Sequence, residues 1–368
     1  MRKRLVLVGG GHAHLYTLRQ TAKLAELGIS VVLVAPRIFW YSGTGPGIVS
    51  GSHAPDQGSV NLQSLVQRRG GVFIEDEAIR IDASNRRVFL RKHSPLSYDA
   101  LSLNVGSQVS TEDIPGAEEY GITVKPISNL VAVRKELIAS EARGCEARIV
   151  VIGGGDAGCE LVANIGYLLS ELNWKERPTL VSATLNLMEN HGANAGLIMT
   201  KYLRELRTNL VLGAKVIRVH AGAIELENDA TIPFDLLVIA TGIRPSTLMR
   251  SSGLPVALDG SLQVNRYLQC VSYPEIFAAG DCICFDGRIL PRIGVYAVRQ
   301  APVLYHNLTA YMAAKDLRPF HPQRSYLLIL NLGDGTGLLS WRRLANRSRP
   351  AFWLKDWIDR RFVAEFSR

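Results

Sequence analysis

Two continuous apolar runs along the chain each lead directly into a cluster of glycines. Residues 5–8 precede Gly9-Gly10-Gly11, and residues 149–152 precede Gly153-Gly154-Gly155. An unbroken apolar run is typical of a strand buried on both faces, and the helical pattern after each cluster predicts a strand, a turn and a helix. Glycines at such a turn let the backbone approach a pyrophosphate at the N-terminus of the helix. Two copies, 144 residues apart, predict two dinucleotide sites.

The two units also end alike. Tyr98-Asp99 and Phe234-Asp235 are each followed by an apolar strand and then by Gly106 or Gly242, with seven positions from the aspartate to the glycine in both. A third apolar segment, residues 276–279, ends at Gly280-Asp281. This repeat predicts buried strands that end beside ligands. It is also compatible with two α/β domains that bind no dinucleotide, because a fold does not dictate a function.

Length and composition favour a globular protein. The chain has 368 residues, of which 47% are hydrophobic and 20% are charged, a size typical of two to three domains. Apolar runs stay below the roughly 18 residues of a membrane-spanning helix, and Arg2-Lys3-Arg4 continues straight into a strand rather than into a signal peptide. The five cysteines are scattered, without the spacing of a disulfide framework or a metal site. We therefore expect a protein of the reducing cytoplasm.

The C-terminal stretch from Trp341 to Arg368 carries much of the positive charge. It contains eight basic and three acidic residues, whereas the whole chain has a net charge of +9. Trp353, Trp357 and Phe362 recur there at helical spacing, which predicts an amphipathic helix. Its aromatic face suits an anionic membrane surface, its own domain or the partner of a homodimer, and the sequence leaves all three open. Nucleic acid is not expected as a partner, because no recognition motif accompanies the charge.

Residues 326–330 and 337–341 flank Asp334-Gly335 and predict a hairpin. Together with the basic aromatic helix, this hairpin would form a small cap at the end of the chain.

The two glycine turns, with Ala240-Thr241-Gly242 and Ala279-Gly280-Asp281, resemble the pyridine nucleotide-disulfide oxidoreductase superfamily. The resemblance implies an α/β fold with two Rossmann-like domains. An FAD-binding domain (residues 1–120 and 246–310) would be interrupted by an NAD(P)H-binding domain (residues 121–245), with a C-terminal cap (residues 311–368). Asp281 would then hydrogen-bond the flavin ribitol, although it could instead cap a helix. The cofactor-binding residues implied or predicted are Gly9, Gly11, His12, His14, Pro46, Gly106, Gly153, Gly155, Gly158, Thr241, Gly242, Gly280, Asp281, Gly294 and Val295.

A narrower resemblance is carried by residues 9–14, Tyr41-Ser42-Gly43, Pro46-Gly47, residues 294–302 and residues 355–362. These stretches are similar to flavoproteins related to type II NADH:quinone oxidoreductases, which also occur fused ahead of selenophosphate synthetase. The disulfide reductases of the superfamily carry a Cys-x4-Cys pair where this chain has residues 40–46, which contain no cysteine. Cys282 and Cys284 are too close in sequence for that pair and are interpreted as small buried hydrophobes. Cys159 does not reproduce the pattern of sulfide:quinone enzymes.

The resemblance implies hydride transfer from NADH or NADPH to FAD and onward reduction of a quinone-like small molecule. Glu160 resembles the acid that borders the nicotinamide pocket, although it could be a first-turn acid that favours the helix dipole. Arg299 and Gln300 are candidates for the acceptor side, with surface exposure as the alternative for Arg299. The helix near Gly294 would direct its positive end at the flavin. A redox-sensing flavoprotein that gates a partner, and an NAD(P)H reductase of a small electron-transfer protein, remain as alternatives. A quinone reductase would lie in the cytoplasm or peripherally on the inner face of a membrane.

Three positions depart from the usual dinucleotide pattern. The strands at residues 31–34 and 179–182 end without the acid that binds an adenosine ribose, so NADPH is admissible at the second unit, although no arginine is obviously placed to bind it. His14 stands where the first turn would have its third glycine. It would either hydrogen-bond the pyrophosphate or pack as a satisfied buried histidine.

Overall fold

Helices and strands alternate along a computed structural model that describes residues 2–342 and 344–367. The strands, in chain order, are β1 (Lys3–Val8), β2 (Ile29–Val34), β3 (Ile38–Trp40), β4 (Ser59–Asn61), β5 (Val72–Ile74), β6 (Ala78–Asp82), β7 (Arg87–Leu90), β8 (Leu96–Ser97), β9 (Ala100–Leu103), β10 (Ser107–Val109), β11 (Ile122–Thr123), β12 (Ile149–Ile152), β13 (Thr179–Ser182), β14 (Asn209–Leu212), β15 (Val216–His220), β16 (Ala223–Leu226), β17 (Thr231–Pro233), β18 (Leu236–Ile239), β19 (Ile243–Pro245), β20 (Leu262–Val264), β21 (Ile276–Ala278), β22 (Ile283–Phe285), β23 (Leu328–Asn331), β24 (Gly337–Trp341) and β25 (Leu344–Ser348). The α-helices are α1 (His12–Arg19), α2 (Thr21–Glu26), α3 (Gly45–Ser50), α4 (Leu62–Gln67), α5 (Ala117–Tyr120), α6 (Ser128–Ala142), α7 (Asp156–Glu171), α8 (Ala193–Glu205), α9 (Leu248–Ser251), α10 (Gly294–Met312) and α11 (Arg349–Ser367). Short 3-10 helices lie at Ser42–Thr44, Pro55–Gly58, Glu189–His191 and Gly280–Cys282.

The first glycine turn belongs to a five-stranded parallel sheet with the order β21-β9-β1-β2-β5. Its central strand β1 is buried from Leu5 to Val8, as an unbroken apolar run predicts. The closing strand of the first repeat, β9, lies beside β1, with Val8 opposite Leu103. The third apolar segment, β21, completes the sheet although it lies 173 residues after β9 in the sequence, counted from Leu103 to Ile276.

The second glycine turn belongs to a second five-stranded parallel sheet with the order β11-β18-β12-β13-β14. As in the first sheet, the closing strand of the repeat, β18, pairs directly with the strand that leads into the glycines. A small antiparallel sheet also precedes the closing strand in each unit, β6-β7-β8 in the first and β15-β16-β17 in the second. The repeat seen in the sequence is therefore a repeat of topology, and the predicted α/β fold is confirmed.

The glycines of each turn are needed for their backbone conformation and for close packing. Gly9 and Gly153 have φ values of 89° and 126°, a region that side chains with a Cβ rarely adopt. A Cβ on Gly9 would lie 2.5 Å from the carbonyl oxygen of Asn104, and one on Gly158 would lie 1.9 Å from that of Gly153. Gly158 thus lets α7 pack closely on its own strand, the role of the third glycine in this motif.

The C-terminal residues form a three-stranded antiparallel sheet, β23-β24-β25, and the long helix α11. The hairpin and the helix agree with the sequence, whereas β25 was not predicted, because its polar residues do not show strand periodicity. Residues Arg343 and Arg368, counted among the basic residues of this stretch, lie outside the described part of the chain.

The strands of the first sheet come from residues 3–103 and 276–278, whereas those of the second come from residues 122–239. This arrangement accords with one domain inserted into another, and we keep the boundaries at residues 120, 245 and 310 as a proposal. None of the described helices is long and apolar enough to cross a membrane.

Candidate active site

A cleft of about 1410 Å³ runs between the carboxyl ends of the two parallel sheets. Both glycine turns line it, and so do the small-residue turns that follow β9 and β18. In parallel sheets, ligands bind at this edge because the strand ends and the helix N-termini meet there. The predicted residues that line the cleft are Gly9, Gly11, His12, Gly106, Gly153, Gly155, Glu160, Thr241, Gly242, Gly280, Asp281 and Gly294.

Asn104 holds the first glycine turn against the third apolar segment. Its Oδ1 accepts a hydrogen bond from the backbone N–H of Ala13 at 3.0 Å, and its Nδ2 donates to the carbonyl of Ala279 at 2.6 Å. A Cβ on Gly11 would lie 2.2 Å from Asn104 Oδ1, so the contact requires glycine there. Sequence reasoning missed Asn104, although it ends a predicted buried strand that otherwise has no polar residue but Ser102.

His12 lies at the start of α1 and lines the cleft next to the first glycine turn. Its ring contacts Phe39, Tyr41 and Phe362 at centroid distances of 5.0, 5.5 and 5.7 Å. Its Nε2 is buried and has no hydrogen-bond partner among the described residues. Burial lowers the pKa of His12 to about 4, so the ring is neutral at physiological pH. A neutral, buried and unpartnered nitrogen on a residue that lines a cleft fits a hydrogen bond to a bound cofactor.

Asp281 is held by two polar side chains that also line the cleft. Its Oδ2 accepts from the Ser107 hydroxyl at 2.7 Å and from Lys125 Nζ at 3.1 Å. Lys125 also donates to the Ser107 hydroxyl at 2.7 Å. Asp281 therefore does not cap α10, which begins at Gly294 after Ile293. No local pattern marks Lys125 as a partner of Asp281, because it lies 156 residues earlier in the chain.

The second glycine turn opens onto free space. A Cβ on Gly155 would meet no heavy atom within 4 Å, so the space beside this residue, directly before α7, is open. Asp156, the first residue of that helix, accepts a hydrogen bond from His191 at 2.8 Å. A glycine turn with open space beside it at a helix N-terminus fits the pyrophosphate of a second dinucleotide.

Glu160 lies one turn into α7, where its side chain lines the cleft and is almost fully buried. Its Oε1 accepts a hydrogen bond from the backbone N–H of Asn331 at 2.7 Å. Burial raises the pKa of Glu160 to about 7, against the opposing effect of the nearby Lys355 ammonium. The carboxyl group is thus partly protonated near neutral pH. An acid that only stabilised the helix dipole would not need such a raised pKa.

Lys355 on α11 reaches the same region from the C-terminal cap. Its buried ammonium donates to the carbonyl of Gly43 at 2.5 Å and to Asp359 Oδ2 at 2.7 Å. Burial lowers the pKa of Lys355, but the charges of Asp359 and Glu160 outweigh it and the net shift is upward. Burial and the Asp359 carboxylate also raise the pKa of Tyr41, so its hydroxyl stays protonated. Sequence reasoning named residues 355–362 only by resemblance and assigned them no role in the cleft.

Six predicted site residues do not line the cleft: His14, Pro46, Gly158, Val295, Arg299 and Gln300. His14 is fully buried behind the first turn, with Nδ1 bonded to the carbonyl of Gly9 at 2.6 Å and Nε2 to the Ser102 hydroxyl at 2.8 Å. These partners correspond to the packing alternative for His14 rather than to a pyrophosphate ligand. Pro46 is buried in α3, and Gly158 supports the turn from behind.

Arg299 is exposed at the surface, which was the alternative interpretation of this residue, and Gln300 is buried. The Gln300 Oε1 accepts from the backbone N–H of Gly280 at 2.7 Å and so supports the loop that carries Asp281. Helix periodicity explains this placement: Gly294 and Ala297 of α10 face the cleft, and Arg299 then lies on the other side of the helix. Their assignment to the acceptor side stays a prediction without support from these positions.

The model of the family described as pyridine nucleotide-disulphide oxidoreductase matches residues 3–307. The chain is 26% identical to demethylphylloquinone reductase NdbB of Synechocystis over 86% of this chain and 82% of that protein. It is also 26% identical to ferroptosis suppressor protein 1 of Taeniopygia guttata over 78% of both chains. The solved structure of NDH2 from Plasmodium falciparum in complex with NADH superposes with a TM-score of 0.84 at 15% identity, with all of both chains covered. The likeness to flavoproteins fused to selenophosphate synthetase is not tested by these relatives.

Proposed function

The chain belongs to the pyridine nucleotide-disulphide oxidoreductase family, and from this we propose that it is an FAD-dependent NAD(P)H oxidoreductase. It would pass a hydride from the nicotinamide to the flavin and the electrons on to a quinone-like acceptor, without a redox-active disulfide. The overall reaction consumes one NAD(P)H, one proton and one quinone, and yields NAD(P)⁺ and the quinol. The names of the relatives, a demethylphylloquinone reductase among them, support a quinone as the acceptor.

The observation that carries this proposal is that both glycine turns open into one cleft. Two separate nucleotide sites would support binding alone. Two turns that face a shared space allow the reactive ends of two bound dinucleotides to meet, which is the geometry that direct hydride transfer needs.

The first half of the cleft fits FAD. The turn at residues 9–11 would hold the pyrophosphate, His12 would offer its free ring nitrogen, and Asp281, fixed by Lys125 and Ser107, would accept from a ribitol hydroxyl. When bound, FAD supplies the two-electron chemistry, while the protein supplies position and charge. The N-terminus of α10 at Gly294 lines the same half, and its positive end would stabilise negative charge there.

Glu160 supports a further part of the reaction. Quinone reduction takes up a proton from solvent as well as the hydride, and a carboxyl group with a pKa of about 7 can both hold and release a proton at neutral pH. Glu160 also lines the cleft, on the helix that follows the second glycine turn. We assign Glu160 to the orientation of the nicotinamide and to proton delivery.

The cysteines do not support a thiol relay. Each of the five is free, and no cysteine is among the described residues that line the cleft. Cys159 and Cys282 are buried, and burial raises the pKa of each thiol, that of Cys282 to about 12. Thiols that stay protonated at physiological pH are poor nucleophiles.

We further propose that α11 docks on an anionic membrane surface at the cytoplasmic side. One face of this helix packs on the protein through Ala351, Lys355, Asp359 and Val363. The other face exposes Trp353 and Trp357, and their exposed fractions are 63% and 56%. Further exposed apolar side chains lie nearby in sequence: Trp341, Leu344, Leu354 and Ile358. Tryptophans beside the arginines at 360 and 361 suit a headgroup interface, where a lipid-soluble quinone is also available.

An anaerobic titration of the purified yellow protein with NADH and with NADPH tests the proposed function. Loss of the oxidised flavin absorbance with either nucleotide, followed by reoxidation with a short-chain quinone, is the expected result. If neither nucleotide bleaches the flavin while dithionite does, the oxidoreductase is excluded and the redox-sensing alternative takes its place. Reoxidation only by a small electron-transfer protein, with strongly salt-dependent rates, would favour the third candidate.

A further inference from the structure

We propose that the second dinucleotide site recognises the 2′-phosphate of NADPH, with Lys215 as its cation, so that the protein uses NADPH at least as well as NADH. This inference rests on the proposed function and specifies its electron donor. It depends on the end of β13, on the loop that precedes β15, and on the charges between them.

Ser182 occupies the position from which an acid would select NADH. The β12–β13 register places Val181 beside Ile152, and the backbone N–H of Gly153 donates to the carbonyl of Val181 at 2.8 Å. Ser182 therefore ends its strand directly beside the glycine turn. A carboxylate at this point binds the ribose hydroxyls of NADH and repels a 2′-phosphate. A serine removes that repulsion.

The hydroxyl groups at this strand end are engaged with one another. The Ser182 and Thr184 hydroxyls lie 3.0 Å apart, and the Thr184 hydroxyl donates to the carbonyl of Asn186 at 2.8 Å. This arrangement fixes the loop in place and leaves recognition of a phosphate to a cation.

Lys215 supplies that cation. The backbone N–H of Ala214 donates to the carbonyl of Ser182 at 2.9 Å, and that of Gly213 donates to the carbonyl of Thr184 at 3.0 Å. These two bonds hold the residues before β15 against the end of β13. Lys215 follows directly, lines the cleft and is exposed. No hydrogen bond or ion pair engages its ammonium within residues 2–342 and 344–367.

Among the described residues, no neighbouring carboxylate pairs with the Lys215 ammonium. Asp156 is bonded to His191, and Glu189 lines the cleft from the short 3-10 helix rather than from the end of β13. Glu227 accepts from the Lys215 backbone N–H at 3.4 Å but does not line the cleft. A free ammonium at a strand end without an acid favours a dianionic phosphate.

Binding of 2′,5′-ADP and 5′-AMP, measured by calorimetry on the flavin-loaded protein, isolates the contribution of the phosphate without turnover. We expect 2′,5′-ADP to bind more tightly than 5′-AMP. The Lys215→Ala variant should weaken 2′,5′-ADP by about 10-fold, the effect of one charge-assisted hydrogen bond, and leave 5′-AMP nearly unchanged. Lys201→Ala is the matched control, because Lys201 is exposed on α8 and does not line the cleft. In kinetics, Ser182→Asp should shift the ratio of kcat/KM values toward NADH by about 10-fold or more.

Equal affinities for the two adenosine phosphates, together with flavin reduction by NADH alone, would overturn this inference and leave the proposed function intact. Equal weakening of both ligands in Lys215→Ala would remove Lys215 from phosphate recognition. Failure of both nucleotides to reduce the flavin would instead contradict the proposed function itself.

Discussion

The carboxyl group of Glu160 and the backbone N–H of Asn331 are joined by a hydrogen bond of 2.7 Å across 171 residues of sequence. Asn331 in turn donates from its Nδ2 to the Ser52 hydroxyl at 2.8 Å. The bond ties the helix after the second glycine turn to the first strand of the C-terminal sheet, so the cap helps to position the carboxyl group that we assign to the nicotinamide.

The Glu160→Gln variant keeps the size of this side chain and its acceptor oxygen but cannot release or take up a proton. We expect quinone reduction to fall by about 10² to 10⁴-fold, the usual contribution of a general acid or base, while the bound flavin is retained. The pH–rate profile should also lose the limb near pH 7. Steady-state rates between pH 5.5 and 8.5 test this. A variant whose profile keeps that limb would show that another group controls the proton.

Glu160 should also make the free energy of unfolding fall as the pH rises. In the folded protein the pKa of Glu160 is raised from its ordinary value of 4.5 to about 7. The unfolded chain therefore releases this proton at a lower pH than the folded protein does. The contribution of Glu160 to the free energy of unfolding is complete below pH 4.5 and is lost as the pH rises through 7. Glu160→Gln should therefore gain stability relative to the natural chain by about 2 kcal/mol between pH 5 and pH 8.5. Urea unfolding at the two pH values measures this difference. Parallel changes in both proteins would contradict the assignment.

Lys355 and Asp359 form a buried ion pair one helical turn apart. Lys355→Met should cost about 3 to 5 kcal/mol, because it leaves the Asp359 carboxylate buried without its partner. The double variant with Asp359→Leu should recover most of that loss. Arg360→Met is the matched control on the same helix, since Arg360 pairs with Asp356 at the surface and its loss should cost less than about 1 kcal/mol. A single variant as stable as the control would show that the pair is not buried in solution.

His12 offers two separable contributions to the first dinucleotide. His12→Phe retains a ring against Phe39 and Tyr41 but removes the unpartnered nitrogen. We expect its affinity for FAD to fall by about 10-fold, as the loss of one buried hydrogen bond predicts, with little change in melting temperature of the apoprotein. Fluorescence titration of apoprotein with FAD measures the affinity. Unchanged FAD affinity would mean that the nitrogen does not face the cofactor.

Membrane docking through α11 should be measurable with vesicles. Replacement of Trp353 and Trp357 by serine should abolish binding to vesicles rich in anionic lipid, whereas Leu197→Ser, at an exposed position on α8, should have no effect. Binding of the natural chain should weaken as salt rises from 0.05 to about 0.5 M, since screening reduces the attraction of the nearby arginines. A second copy of the chain is the alternative occupant of this face, and light scattering tests for it. If the natural chain is a dimer and the tryptophan replacements make it a monomer, the face belongs to a second copy.

Local sequence predicted those parts of the fold that depend on neighbouring residues. The strand and glycine turn at each unit, the helix at Gly294 and the C-terminal hairpin all follow from apolar runs and turn residues within about 20 positions. The equal spacing from Asp99 to Gly106 and from Asp235 to Gly242 likewise corresponded to equivalent strands in the two sheets.

Contacts that join distant parts of the chain were not predictable in this way. Lys125 with Asp281 and Lys355 with Gly43 meet only because the sheets and the cap bring them together, and no local pattern marks them. Of the two alternatives for Arg299, the structure has the exposed one. Gly294 and Ala297 line the cleft, and the helical phase of α10, which the sequence also contains, turns Arg299 away from it.

The placement of β21 has a consequence for how the chain is made. The second sheet uses residues 122–239, whereas the first sheet lacks its edge strand until Ile276–Ala278 has been synthesised. The helix α1, which packs on α10, waits still longer for its neighbour. As the chain leaves the ribosome, the later unit can therefore close its sheet first, while the earlier unit stays open at one edge. We expect the second sheet, with its proposed nicotinamide site, to form before the first sheet, with its proposed flavin site. This order is the reverse of that in which their glycine turns are translated.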